Sequence, residues 1–217
     1  MENLPVEVIG NILSRLGAAR EVVIASATCR KWREAFRKHL HSLSFNSNDW
    51  PVFRDLLTSR LEILITQTIF QTTGLQGLTI LMDDVDEFSA STVIAWLMYT
   101  RESLRRLYYN VRTSPNLNIL DICGRHKLEM LSLAHNTIIG VEPNYQRFFL
   151  PHFAFPELYA QVSVELSSPT LKTIYVEAIS LDKFILEADS LEDMHLKDCA
   201  LEQFELIGKG TLKRFSN

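Results

Sequence analysis

Histidine and cysteine stand four residues apart at His195 and Cys199, and of the residue types in this 217-residue chain they are the pair best suited to nucleophilic chemistry. A nucleophilic dyad needs a positioned base within hydrogen-bond reach and donors for the developing oxyanion. Here His195 is the outward residue of a short strand pattern and Cys199 falls in the turn after it, with no third element in view, so no catalytic role follows. Gly74-Leu75-Gln76-Gly77 and Gly208-Lys209-Gly210-Thr211 are too short to cradle a phosphate, which takes four residues between the glycines and a helix behind them. They read as turns. Asp83, Asp84, Asp86 and Glu87 are of a type that binds cations, but a charge run ahead of a helix reads first as a solvated capping loop. Cys29, Cys123 and Cys199 are scattered without a Cys-x-x-Cys pair, which argues against a closed zinc site and a disulfide framework and suits a reducing compartment. The chain is read as no enzyme, with no cofactor and no metal.

Without chemistry of its own, the chain is to be understood from its surfaces, and these start with an apolar excess at the N-terminus. Val8, Ile9, Ile12, Leu13 and Leu16 recur at helical spacing behind Pro5, and Gly17 supplies the left-handed stop. A second run, Val22 to Cys29, is apolar almost all round and leads into Arg30-Lys31-Trp32-Arg33-Glu34-Ala35-Phe36. A unit of roughly forty residues seldom encloses its own core, so part of this apolar surface belongs on a partner or on the following domain. Seven basic residues against four acidic ones give residues 1–40 a charge of +3, which leaves −7 for the remainder of a chain with net charge −4. A basic head on an acidic body suits an acidic partner, since complementary potentials speed and orient encounter. No basic stripe interleaved with aromatics runs through the rest, so nucleic acid is not an expected ligand.

The string Leu4-Pro5-x-Glu7-x-Ile9-x-x-Ile12-Leu13-Ser14-x-Leu16, then Val22, then Cys29-Arg30-x-Trp32-Arg33, resembles the F-box motif in order and spacing over residues 3–45. Two positions depart from it: Gly17-Ala18 replaces the prolines common after the first helix, and Thr28 stands where valine is usual. The resemblance implies three helices that dock an Skp1-type adaptor and, through it, a cullin. Leu4, Pro5, Ile12, Leu13, Val22, Cys29 and Trp32 match positions that form or support that contact.

Residues 49–71 read as a linking helix, capped by Asp49 with Pro51 in its first turn. Beyond it, a leucine followed by apolar residues three and five positions later keeps returning. It begins at Leu75, Leu104, Leu117, Leu128, Leu171, Leu181, Leu191 and Leu201. The last two positions of each frame share one face of a strand and the residue between them takes the other, so each frame is a strand with one buried face that stacking must cover. Val93, Ile94, Leu97 and Met98 suggest a helix after Ser89 or Ser91, on the convex side. In the ten-residue zone from Leu171 no helix fits, and alternate frames should pair in parallel: Leu171 with Leu191, Leu181 with Leu201. The run from Tyr145 to Pro156 fits no frame and reads as an insertion.

These frames, with Ser168-Pro169-Thr170-Leu171-Lys172 ahead of a strand, resemble the irregular leucine-rich repeats of plant F-box proteins. The expected architecture is α/β: a three-helix F-box (1–45), a linking helix (46–71) and a degenerate leucine-rich-repeat solenoid of parallel strands (72–217), truncated at its C-terminus because a further frame opens at Leu212 and stops. The implied function is client recruitment to an Skp1–cullin–F-box ubiquitin ligase; the alternative is a repeat scaffold that uses its F-box outside any ligase. Outward strand positions include Thr79, Tyr108, Asp121, Ser132, Tyr175, Ile185, His195 and Glu205. Tyr108, Tyr175 and His195 are the expected client contacts, since aromatic residues dominate interface hot spots. The N-terminal residues lack a secretory leader's pattern, and the longest apolar stretch, 92–99, falls short of the roughly 20 residues that span a bilayer. Nucleus or cytoplasm is the expected location, with no membrane partner.

Overall fold

The computed structural model describes residues 4–49, 56–82, 85–114, 117, 127–134, 163–177 and 180–216. Three helices come first: α1 (Val6–Arg15), α2 (Ala19–Ser26) and α3 (Arg30–His39). Pro5 takes the N-cap position of α1, where its missing N–H costs no intrahelical bond. Gly17, at φ +79°, supplies the left-handed turn that stops the helix. Ile9, Leu13, Val22, Ala35 and Phe36 fill the space between the three helices and are all buried.

The chain then enters a strand, β1 (Ser42–Asn46), within the last residues that the resemblance assigns to the three-helix head. Leu40-His41-Ser42-Leu43-Ser44-Phe45 is one more copy of the repeat frame, and its alternation buries Leu43 and Phe45 completely. The helix expected over 49–71 is shorter: α4 spans Thr58–Phe70. Its N-cap is Leu57 rather than Asp49, whose N–H donates to the Asn46 carbonyl in a turn, and Pro51 lies outside the described residues.

Six more strands follow β1 into one parallel sheet: β2 (Gly77–Leu81), β4 (Arg106–Asn110), β6 (Met130–Ala134), β8 (Thr173–Glu177), β10 (Asp193–Lys197) and β12 (Arg214–Ser216), in the spatial order β1-β2-β4-β6-β8-β10-β12. Their register stacks the buried positions into two columns, Leu43-Leu78-Leu107-Leu131-Ile174-Met194 and Phe45-Ile80-Tyr109-Leu133-Val176-Leu196. The leucine that opens each frame, Leu40, Leu75, Leu104, Leu128, Leu171 or Leu191, is buried as well. Burial along such columns is what holds a solenoid whose single coils are too small to be stable.

Behind the sheet the layer changes with repeat length. The first, long repeats carry α4 and then α5 (Ala90–Thr100), with a two-stranded pair, β3 (Phe88–Ser89) and β5 (Thr113–Ser114), beside them. Ser89 sits at the N-cap of α5 but makes no capping bond with its side chain. Glu62 of α4 does that work: its carboxylate accepts the Ser89 N–H and the Thr92 hydroxyl, a negative charge at the positive end of a helix. One and two turns further along, Thr66 accepts the Trp96 indole N–H at 2.7 Å and the Thr72 carbonyl accepts the Tyr99 hydroxyl at 2.7 Å. The short repeats carry strands instead, β7 (Ser163–Ser167), β9 (Ser180–Glu187) and β11 (Ala200–Ile207), in a second parallel sheet. The frame at Leu171 thus pairs with that at Leu191 and the frame at Leu181 with that at Leu201, while sequence neighbours fall in different sheets, as the ten-residue spacing requires. The frame at 117–122, apart from Leu117, and the insertion at 145–156 lie outside the described residues.

Two devices hold the register. The carbonyl just ahead of each strand, on His41, Gln76, Arg105, Glu129, Lys172 and Glu192, accepts both N–H groups that open the next strand of the sheet. At the same position the side chains alternate in sign, Arg105, Glu129, Lys172, Glu192, Lys213, with ion pairs at 2.7 Å (Arg105–Glu129) and 2.8 Å (Glu192–Lys213). Exposed pairs contribute little each, but a slip of one residue takes these charges out of line and turns buried leucines outward. No described helix is long and apolar enough to cross a membrane.

The head depends on the contact between α1 and α3 at Gly10. A Cβ there would sit 2.4 Å from the His39 Cβ and 2.6 Å from the His39 carbonyl oxygen. Gly10→Ala should force these helices apart and cost about 1–3 kcal/mol, the usual range for overpacking. Urea denaturation of the full chain measures it, and an unchanged midpoint would show that the two helices do not meet in this way.

Candidate functional site: two interaction surfaces

The head presents two apolar stripes on α1. Ile9 and Leu13 face inward with no exposure, whereas Val8, Ile12 and Leu16, one turn apart, are 40%, 37% and 36% exposed. A helix of a small domain normally carries one apolar stripe; the second has no partner within the described chain. Of the positions matched to the adaptor contact, Ile12, Pro5 and Cys29 lie at the surface, and Leu4 and Trp32 are half-buried against the core. Leu13 and Val22 are interior, 0% and 1% exposed, and so support the head from within rather than touch a partner. The reading by resemblance passed over Val8, Leu16, Val23 and Ile24. Their signal was present, since two helices with apolar residues beyond one face must show some of them to solvent. Val23 and Ile24 are exposed and line an apolar cleft of about 240 Å³ that α2 forms with Phe45 of β1 and Leu64 of α4.

The second surface is the open face of the large sheet. Register sets the outward residues in rows across the strands, the central one being Ser44-Thr79-Tyr108-Ser132-Tyr175-His195. Tyr108, Tyr175 and His195, from separate repeats, are thereby brought onto one face. Tyr175 and His195 are neighbours, their rings 6.3 Å apart and tilted, while Tyr108 stands apart from them beyond Ser132. Ile185 and Glu205 are not on this face: they belong to β9 and β11 of the second sheet. Asp121 lies outside the described residues. The sequence pattern marked these two as outward because it cannot say to which sheet a frame goes.

The Tyr175 hydroxyl donates to the Glu177 carboxylate at 2.8 Å, and Lys197 donates to the other oxygen of Glu177. The hydrogen bond to Glu177 holds the Tyr175 phenol above the usual tyrosine range, and the same carboxylate raises Lys197. Tyr175 is thus fixed as a neutral donor beside an ion pair, a polar aromatic corner at one end of the face. The thiol of Cys199 donates to the carbonyls of Val176 and Lys197, at 3.5 and 3.3 Å, which ties it to the main chain. Among the described residues no group of three His, Cys, Asp or Glu side chains is placed to hold a metal ion.

Residues 1–43 match the F-box-like family model. With the parallel-strand solenoid that continues from it, this head gives the chain the architecture of an F-box/leucine-rich-repeat protein. Over 99% of its length it is 65% identical to F-box/LRR-repeat protein At1g67190 of Arabidopsis thaliana, and it spans 59% of that relative's length. No solved structure matches it.

The Tyr175–Glu177 bond has a pH signature. A group whose folded pKa is raised contributes stability in full below its unfolded value, about 10 for tyrosine, and loses it as pH rises through the folded value. Ultraviolet titration, read as the difference from Tyr175→Phe, should therefore show the Tyr175 phenol ionising above the ordinary tyrosine range, and Glu177→Gln should return it to that range. A titration identical in the two proteins would show that the bond is not made.

Proposed function

We propose that this chain is the client-recognition subunit of an Skp1–cullin–F-box ubiquitin ligase, with no catalytic residues of its own. The observation that carries the reading is the outward stripe Val8-Ile12-Leu16, left without a partner on a helix whose inner stripe is already packed, in the segment that matches the F-box-like model. Exposed apolar residues in this arrangement suit a helical partner that lays its own apolar face against them. An Skp1-type adaptor is that partner, and it supplies the link to cullin. The net positive charge of the head favours approach by an acidic adaptor.

The open face of the sheet, with Tyr108, Tyr175 and His195, is the surface for the client protein. Between the two surfaces the connection is rigid. Ala18 bridges to Ser44 at the edge of β1, the Thr73 N–H and hydroxyl bind the Arg37 carbonyl, and the His41 N–H binds the Ser14 hydroxyl oxygen. A client held on the sheet is thereby kept at a fixed position relative to the adaptor, which suits delivery to a transfer site on another subunit.

Adjacent residues on α1 allow a clean test. Ile12→Asp should abolish capture of a purified Skp1-type adaptor with little change in melting temperature, because that side chain leaves no cavity behind. Leu13→Ala should destabilise the chain by about 2–5 kcal/mol, the cost of truncating a buried leucine, and weaken capture only as far as it unfolds the head. Undiminished adaptor binding by Ile12→Asp would refute the proposed docking surface. Recovery of cullin together with the adaptor is the expected result for a ligase, and adaptor without cullin would favour a scaffold.

A further inference from the structure

From β4 to β10 the central row of the open face is aromatic on every strand but one. Tyr108, Ser132, Tyr175 and His195 follow one another across β4, β6, β8 and β10, each directly opposite the next. Adjacent strands lie about 4.8 Å apart. At that step the rings of Tyr175 and His195 stand 6.3 Å apart and tilted, within the roughly 4.5–7 Å at which aromatic pairs attract. The same step in the other direction from Tyr175 meets Ser132 in place of a ring. One step further stands Tyr108, 37% exposed. The row is a line of rings with one ring missing.

Two steps across the sheet, about 9.6 Å, separate the tyrosines, so a ring placed over Ser132 lies within pairing distance of both. Met130 points to the same face of β6, two residues from Ser132, and its sulfur accepts the Tyr108 hydroxyl at 2.7 Å. A thioether beside the gap adds a further group that favours the edge of an aromatic ring. The Ser132 hydroxyl makes no hydrogen bond among the described residues, so no bond within the sheet calls for serine at this place.

Charge narrows the choice of occupant. Met130 and Ser132 give β6 no charge on this face, and charges begin only on the flanking strands, with Arg106 on β4 and the pairs Glu177–Lys197 and Asp193–Arg214 across β8, β10 and β12. An uncharged centre inside a charged rim is the layout of a protein interface. No counter-charge borders the gap closely enough to neutralise an ionised side chain, because Glu177 and Asp193 are already paired. Among uncharged side chains, a planar ring alone can pair with both tyrosines and the sulfur at once, and rings are the usual anchors of interfaces.

We infer that the gap over Ser132 is the anchor site for an aromatic side chain of the client, which enters between Tyr108 and Tyr175 and completes the row. The inference rests on the open face being the client surface. Ser132 is then a specificity-determining residue, since a large side chain at that position would fill the gap from within.

The experiment is a titration of the isotopically labelled full chain with N-acetyl-phenylalaninamide, N-acetyl-leucinamide and N-acetyl-lysinamide, followed at the amides of Ser132 and Tyr175 and at the Met130 methyl. The phenylalanine derivative should give saturable shifts, the leucine derivative should bind about fivefold more weakly, and the lysine derivative should give none. Tyr108→Ala should weaken the phenylalanine derivative by about fivefold, the size of one aromatic pair. Ser132→Trp, at an outward position, should abolish its binding without lowering the melting temperature. The absence of saturable shifts, equal affinity for the leucine derivative, or undiminished binding in Ser132→Trp would overturn the site. Its assignment to the client is tested on the chain assembled with adaptor and cullin: Ser132→Trp should lose proteins that wild type recovers from a cell extract, and an identical set recovered by both would overturn that assignment while the site itself stands. Adaptor capture by Ser132→Trp should match wild type, so the ligase reading is decided by the Ile12 variant and not by this one.

Discussion

A three-helix unit of about forty residues is too small to enclose a core of its own, and the rest of this molecule follows from the way that shortage is met. The chain leaves α3 and at once becomes β1, whose Leu43 and Phe45 continue the interior that Ile9, Leu13, Val22 and Phe36 begin. No boundary divides the core of the head from that of the solenoid: one cluster of buried residues runs from Ile9 to Leu196. The head gains the apolar surface it needs, and the sheet gains a cover for its first edge, where Ala18 bridges to Ser44 and α2 packs beside β1. An uncovered parallel edge invites pairing with other chains; here the folded head occupies it.

That shared core has a functional consequence. Flexible attachment through a linker would let the head and the open face of the sheet move independently. Hydrogen bonds from Thr73, Gln76 and Gly77 to carbonyls at the end of α3 and the start of β1 instead make the first repeat an extension of the head. The outward stripe of α1 and the open face of the sheet are thus two surfaces of one body. A pocket of about 200 Å³ lies where they meet, lined by Ser14 from the head and Arg106 from the third strand of the sheet.

Along the solenoid the same frame supports different outer layers. Long repeats have residues to spare for a helix behind the sheet, and α4 and α5 are joined to each other by Glu62, Thr66 and Tyr99. Short repeats have only enough for a second strand, and there Phe184 and Phe204 continue the core behind the sheet, rings 5.7 Å apart. The large sheet does not register the change. Its columns of buried side chains and its doubly accepting carbonyls run from the helical repeats into the strand-only ones, so a single open face extends over both.

Much of this was legible in the residues. The apolar excess of the head, its helix stops at Gly17, the strand frames and the alternate pairing in the ten-residue zone all follow from local spacing, because period 3.6 and period 2 are written directly into which residues are apolar. The frame at Leu40 is equally visible, but it sits inside a segment that resembles the end of an F-box and is followed by residues at helical spacing. Other features are decided only by tertiary structure. Spacing says that α1 carries Ile12 and Leu13 side by side; packing against α3 and α2 says which one is core and which is surface. Spacing marks Ile185 as outward like Tyr175, but which sheet receives a strand depends on how the coil closes. Nor does any local pattern join Ser14, Gly77 and Arg106, which the register of three parallel strands and the stop of one helix bring to a single pocket.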